Sequence, residues 1–92
     1  MGPIASEIAF LLGFEPKHLP FLRNIVIQVP RDGGGILVCV HEGSRAEAVK
    51  VARTLPHFRA ASGLDLVFDV PHEHAAVFAD LRNRLEAEAR HG

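Results

Sequence analysis

Two short segments gather the side chains best suited to chemistry. The first is His41-Glu42-Gly43-Ser44-Arg45, and the second is Asp69 followed by His72-Glu73-His74. If Gly43, Ser44 and Arg45 open a helix, a hydroxyl, a guanidinium and unpaired backbone N–H groups converge there. That arrangement suits a phosphate or carboxylate. If both segments lie at one end of a sheet, His41 and Asp69 with His72 or His74 form a donor set for a divalent metal such as zinc. His72 and His74 are two residues apart, so on a helix they diverge by about 200°. Both serve one ion only if His72 precedes the helix. The plain structural alternative makes Ser44 a cap, His41 the end of a strand, and His72 and His74 exposed first-turn residues.

Three further constellations are weaker. Cys39 and His41 share a strand face, the spacing of a thiol and its base. No third group orients the imidazole, and Cys39 equally reads as a small core hydrophobe beside Leu37 and Val38. Asp65 and Asp69 are roughly 13 Å apart on one strand, too far for the ~6.5–9.5 Å between the carboxylates of an inverting glycosidase. Gly33, Gly34 and Gly35 lack the context of a phosphate-binding loop and read as a hairpin turn.

The elements that position these residues follow from periodicity. Ile4, Ile8, Leu11 and Leu12 recur at helical spacing, with Pro3 in the first turn and Gly13 as a stop, so a first helix covers 4–12. Pro16 and Pro20 limit the next stretch to a turn or one short helical piece. Residues 24–29 are apolar and rich in β-branched side chains, and 36–40 likewise, giving two strands joined by the glycines. Ser44 and Glu47 have capping-box spacing for a helix over 45–55 ending at Pro56. Residues 57–63 read as a connector. Alternation over 64–70 predicts a third strand with a wet face carrying Asp65 and Asp69. Pro71 opens a last helix whose buried stripe is His74 or Ala75, Phe78, Leu81 and Leu85. Asp80–Arg84, Arg82–Glu86 and Glu86–Arg90 sit four apart on its solvated side.

The expected fold is therefore one α+β domain over 1–92, in the order α-β-β-α-β-α. Its three-stranded mixed sheet combines a hairpin with a crossover and is flanked by helices. The crossover pairs the second and third strands in parallel, which places their C-terminal ends, and both polar segments, on one edge. The first two strands are apolar on both faces, more than three short helices cover. Ile25, Ile27, Leu37 and Cys39 are the expected oligomer interface, with a homodimer as the partner.

Bulk composition narrows the function classes. The chain has 92 residues, is 48% hydrophobic and carries a formal charge of −1. Near-neutral charge argues against nucleic acid as a partner, although Arg23, Arg31, Lys50, Arg53 and Arg59 offer a basic flank. A single cysteine excludes an internal disulfide, and a reducing, cytoplasmic setting is expected. No apolar run approaches a bilayer span, so no membrane partner is expected. Neither a cofactor nor a small-molecule ligand is specified.

Two resemblances accompany this reading. Ser6-Glu7-Ile8-Ala9-Phe10-Leu11-Leu12-Gly13-Phe14, with Phe21 and Arg23, resembles part of the second helix-turn-helix of AraC-type regulators, over roughly a fifth of the chain. Phe21 and Arg23 fall one residue late, and Pro16 and Pro20 interrupt the segment that the resemblance makes a recognition helix. The element order is also similar to type II KH and BolA-like topologies, without the G-x-x-G loop of the former. The favoured function is a binding or regulatory module acting as a homo-oligomer. The alternatives are a small metal- or anion-binding enzyme at the strand-end edge and a nucleic-acid-binding domain.

Overall fold

A computed structural model describes residues 2–22, 25–31 and 35–91. Helix α1 (Pro3–Leu12) has Pro3 in its first turn, as expected. It stops at Gly13, φ 110°, where the Gly13 N–H donates to Phe10 O and the Phe14 N–H to Ala9 O, both at 3.1 Å. This pair of bonds satisfies two of the helix's last carbonyls and requires a left-handed residue between them. The proline-bearing stretch becomes a 3-10 turn (Pro16–His18) and the four-residue α2 (Leu19–Leu22). That is too short for the recognition helix of the helix-turn-helix resemblance.

Strands β1 (Val26–Gln28) and β2 (Ile36–Cys39) pair antiparallel, as the glycine-rich turn predicts. Asn24 and Asp32 to Gly34 lie outside the described residues. A 3-10 turn (Glu42–Ser44) leads into α3 (Arg45–Ala52). Next come β3 (Phe58–Ser62), β4 (Asp65–Phe68), a 3-10 turn (His72–His74) and α4 (Ala75–His91).

The sheet has four strands, not three, in the order β1-β2-β4-β3, and every neighbouring pair is antiparallel. The expected connector contains a strand. After α3 the chain runs up the far edge as β3 and turns through Gly63 (φ 59°) and Leu64. It then returns as β4 in the slot beside β2. The crossover from β2 through α3 thus ends on β3, parallel to β2 but one strand away, a split β-α-β unit. The parallel pairing expected for β2 and β4 is therefore corrected to antiparallel, with Ile36 opposite Phe68 and Cys39 opposite Asp65.

Period-two alternation sorts the sheet into two faces. Ile27, Ile36, Val38, Leu66 and Phe68 point inward and are buried. They pack with Ile4, Ile8 and Leu12 of α1, Ala48 and Ala52 of α3, and Phe78 and Leu81 of α4. No helix among the described residues is long and apolar enough to cross a membrane.

Candidate functional site

Antiparallel pairing separates the two polar segments. Asp65, at the start of β4, lies opposite Cys39, at the end of β2. His41 therefore leaves the sheet at one end, whereas Asp69, His72 and His74 leave it at the other. At about 3.3 Å per residue, His41 and Asp69 are on the order of 15–20 Å apart along the strands. The metal set of His41, Asp69, His72 and His74 is not brought together. Among the described residues, no group of three or more His, Cys, Asp or Glu is placed to hold a metal ion.

His41 and Asp69 each have a local occupation. The His41 Nδ1 accepts the Gly43 N–H at 3.1 Å, so His41 caps the 3-10 turn. Ser44 forms no side-chain cap bond, and the expected capping box is replaced by this one. Arg45 donates from Nε to the Gly63 carbonyl, tying the start of α3 to the β3–β4 turn. That bond engages the Nε of Arg45, and His41 engages the Gly43 N–H, two of the donors that the expected anion site of Gly43, Ser44 and Arg45 would use. Asp69 accepts Arg59 Nε at 2.7 Å and its N–H donates to His57 O at 2.8 Å. The Glu73 carboxyl is held below its usual range first by its own backbone N–H, against the opposing effect of burial, with the weaker fields of His74, His57 and His72 adding to the lowering.

The basic flank is dispersed in the same way. Arg31 is engaged by Glu86, Arg59 by Asp69, and Lys50 and Arg53 are exposed on and just after α3. Arg23 lies outside the described residues.

Two other features emerge instead. The first is the outer face of the sheet, opposite the helices. Its register rows run Gln28–Leu37–Val67–Ala60 and Val26–Cys39–Asp65–Ser62. None of these eight side chains belongs to the buried core. Val26 is 56% exposed, whereas Leu37, Cys39 and Val67 are half-buried. The expected interface is thus divided. Ile25 and Ile27 are core residues, at 8% and 9% exposure, while Leu37 and Cys39 lie on the open face. Cys39 is correspondingly not the core hydrophobe of the plain reading. Val26 and Val67 join it there; alternation with Leu66 and Phe68 already put Val67 on the outward face, whereas Val26 was legible only as a β-branched strand residue.

The second feature is a groove of about 420 Å³ between β1 and α4, lined by Ile27, Val29, Pro30, Arg82, Leu85, Glu86 and others. Arg31 bridges its rim, donating to Glu86 from Nε at 3.1 Å and from a terminal nitrogen. This pairing takes Glu86 from Arg82, the expected helical partner. Glu86–Arg90 and Asp80–Arg84 form as expected, at 3.9 and 3.8 Å. Arg84 also reaches Glu7 at 3.9 Å, linking α4 to α1.

The Arg31 hydrogen bonds hold the Glu86 carboxyl below its ordinary range, with burial opposing and Arg31, Arg82 and Arg90 charges reinforcing; Arg31 is raised in turn. A depressed folded-state pKa contributes stability above the unfolded value, lost as pH falls through the folded one. Carboxyl NMR titration should place the Glu86 midpoint below the ordinary glutamate range, and Arg31→Gln should move it back up. An unmoved midpoint contradicts the clamp.

No protein-family model, curated protein or solved structure matches the chain.

Proposed function

We propose that the chain is a small interaction module whose open sheet face associates with a second copy of itself. The carrying observation is the outward row of Val26, Leu37, Cys39 and Val67 on three adjacent strands. A one-sided antiparallel sheet ordinarily alternates apolar-in with polar-out, whereas this one sets Val26, Leu37, Cys39 and Val67 among its eight outward residues, beside Gln28, Asp65 and Ser62. Asp65 is the single ionisable carboxylate in the two register rows, and Ala60 and Ser62 keep the β3 side low. A flat, nearly neutral surface repeated by a two-fold axis meets no charge repulsion of consequence, and two such faces stack in the manner of a β-sandwich.

The size of the face sets the strength. Four strands about 4.8 Å apart, each about four residues long, make a patch well below the ~800 Å² per partner of a standard interface. The monomer core is complete without it, so the association is reversible and concentration-dependent rather than obligate.

Sedimentation velocity from micromolar to millimolar protein should show a monomer–dimer equilibrium. Leu37→Lys and Val67→Lys should each return it to monomer while changing stability in dilute solution by less than about 1 kcal/mol. A bismaleimide should cross-link the wild type through Cys39 and fail in the Leu37→Lys background. A wild type that sediments as a monomer throughout overturns the proposal.

A further inference from the structure

We infer that the groove between β1 and α4 binds a small apolar molecule bearing one carboxylate. The inference stands apart from the association proposed above, because it concerns the β1–α4 seam rather than the open face. The groove's volume, about 420 Å³, lies within the range of small-molecule sites, and Ile27, Val29, Leu85 and Ala89 give it apolar walls.

Its charges are unequally satisfied. Glu86 is the only acid among the lining residues, and Arg31 already engages it with two hydrogen bonds while Arg90 stands 3.9 Å away. Arg82 lines the same groove, and its buried Nε has no hydrogen-bond partner among the described residues. A buried cationic donor without an acceptor is costly, and an incoming anion that draws the Arg82 guanidinium round until Nε faces it relieves that cost. With Glu86 paired to Arg31, Arg82 is the lining charge left without a counter-charge among the described residues.

The chemistry of the ligand follows from the proportions. One unmatched guanidinium beside an apolar wall suits a monoanion, and its planar fork matches a carboxylate in two-point contact. A polyanion would want several cations converging on one point, whereas here the other two are drawn to Glu86. The rest of the ligand is largely apolar, because Ile27, Val29, Leu85 and Ala89 wall the groove with hydrocarbon and Gln28 is the one uncharged polar side chain among the lining residues.

Octanoate, octan-1-ol and octylamine separate the contributions, followed by calorimetry and by amide NMR shifts. Octanoate should bind saturably and perturb the amides of 27–31 and 82–89. Octanol should bind on the order of tenfold more weakly, and octylammonium should not bind. Arg82→Gln should lower octanoate affinity to that of octanol. Ala89→Phe, at an exposed position on the groove wall, should abolish binding of both and covers the case in which the Arg82 variant folds poorly. Equal affinity for octanoate and octanol overturns the inference. So do octanoate binding that survives Ala89→Phe and shifts confined to Val26, Leu37, Cys39 and Val67. The last of these would leave the open face as the apolar site without touching the association result.

Discussion

Gly35→Ala is expected to cost about 3 kcal/mol or more, an exceptional loss for adding one methyl group. Gly35 is buried at the entrance to β2 with φ 100°, and a Cβ built on it would lie 2.5 Å from the Phe68 carbonyl oxygen. Left-handed backbone alone costs an alanine roughly 1–2 kcal/mol. The clash adds to this, because the obstructing atom is backbone and belongs to the strand that pairs with β2. Relief requires the Ile36–Phe68 end of the ladder to part. For a domain of this size, each kcal/mol moves the melting temperature by about 4–8 °C, so a drop of roughly 12–24 °C is expected by calorimetry. Gly63→Ala is the matched control. Its φ is also positive, 59°, but its Cβ would meet nothing within 4 Å. It should lose only the backbone part, about 1 kcal/mol. Equal losses in the two variants would show that the contact with Phe68 is not what requires glycine at 35.

The contrast between these glycines also shows where sequence reading succeeds and where it stops. Gly13 was legible because helix periodicity ends beside it, and a stop at that point is a local event. The inward row Leu66 and Phe68 was legible because it alternates with Asp65 and Val67. β3 was not. Ala60, Ala61 and Ser62 are small, weak strand formers and are exposed, so nothing local distinguishes them from a loop. The two-residue turn at Gly63 was the available signal. Missing that strand assigned the crossover to the wrong partner, and the supposed common edge of His41 and Asp69 followed from it. In β1 the difficulty was different. Ile25, Val26 and Ile27 are all apolar, so composition cannot say which face is which; pairing with Val38 and Cys39 decides it. The groove was least legible, since Arg31 and Glu86 are 55 residues apart and a helical Arg82–Glu86 pair was the local expectation.

Phe68→Ala is the other large effect, with about 4 kcal/mol lost from a stability expected to total about 5–15 kcal/mol. Phe68 is fully buried, with its ring edge-on to Phe14 at 5.8 Å and to Phe58 at 5.6 Å. Phe14 continues to His18 at 6.1 Å, and His18 to Phe21 at 5.6 Å. One ring therefore joins the end of α1, the following 3-10 turn, β3 and β4, and truncating it opens a cavity that none of those elements alone can fill. The melting temperature should fall by roughly 15–30 °C, and denaturant unfolding should shift its midpoint. Phe68→Leu, which keeps most of the volume, should lose about 1–1.5 kcal/mol and remain folded at low temperature. That milder variant also tests how the two faces of β4 divide their work. Val67, the neighbouring residue, points to the open face, so Val67→Lys should abolish self-association with little change in melting. Phe68→Leu should lower melting while leaving the dimerisation constant unchanged at temperatures where it is folded. If the inward substitution weakened dimerisation as much as the outward one, association would depend on the core rather than on the open face, and the assignment of that face would fail.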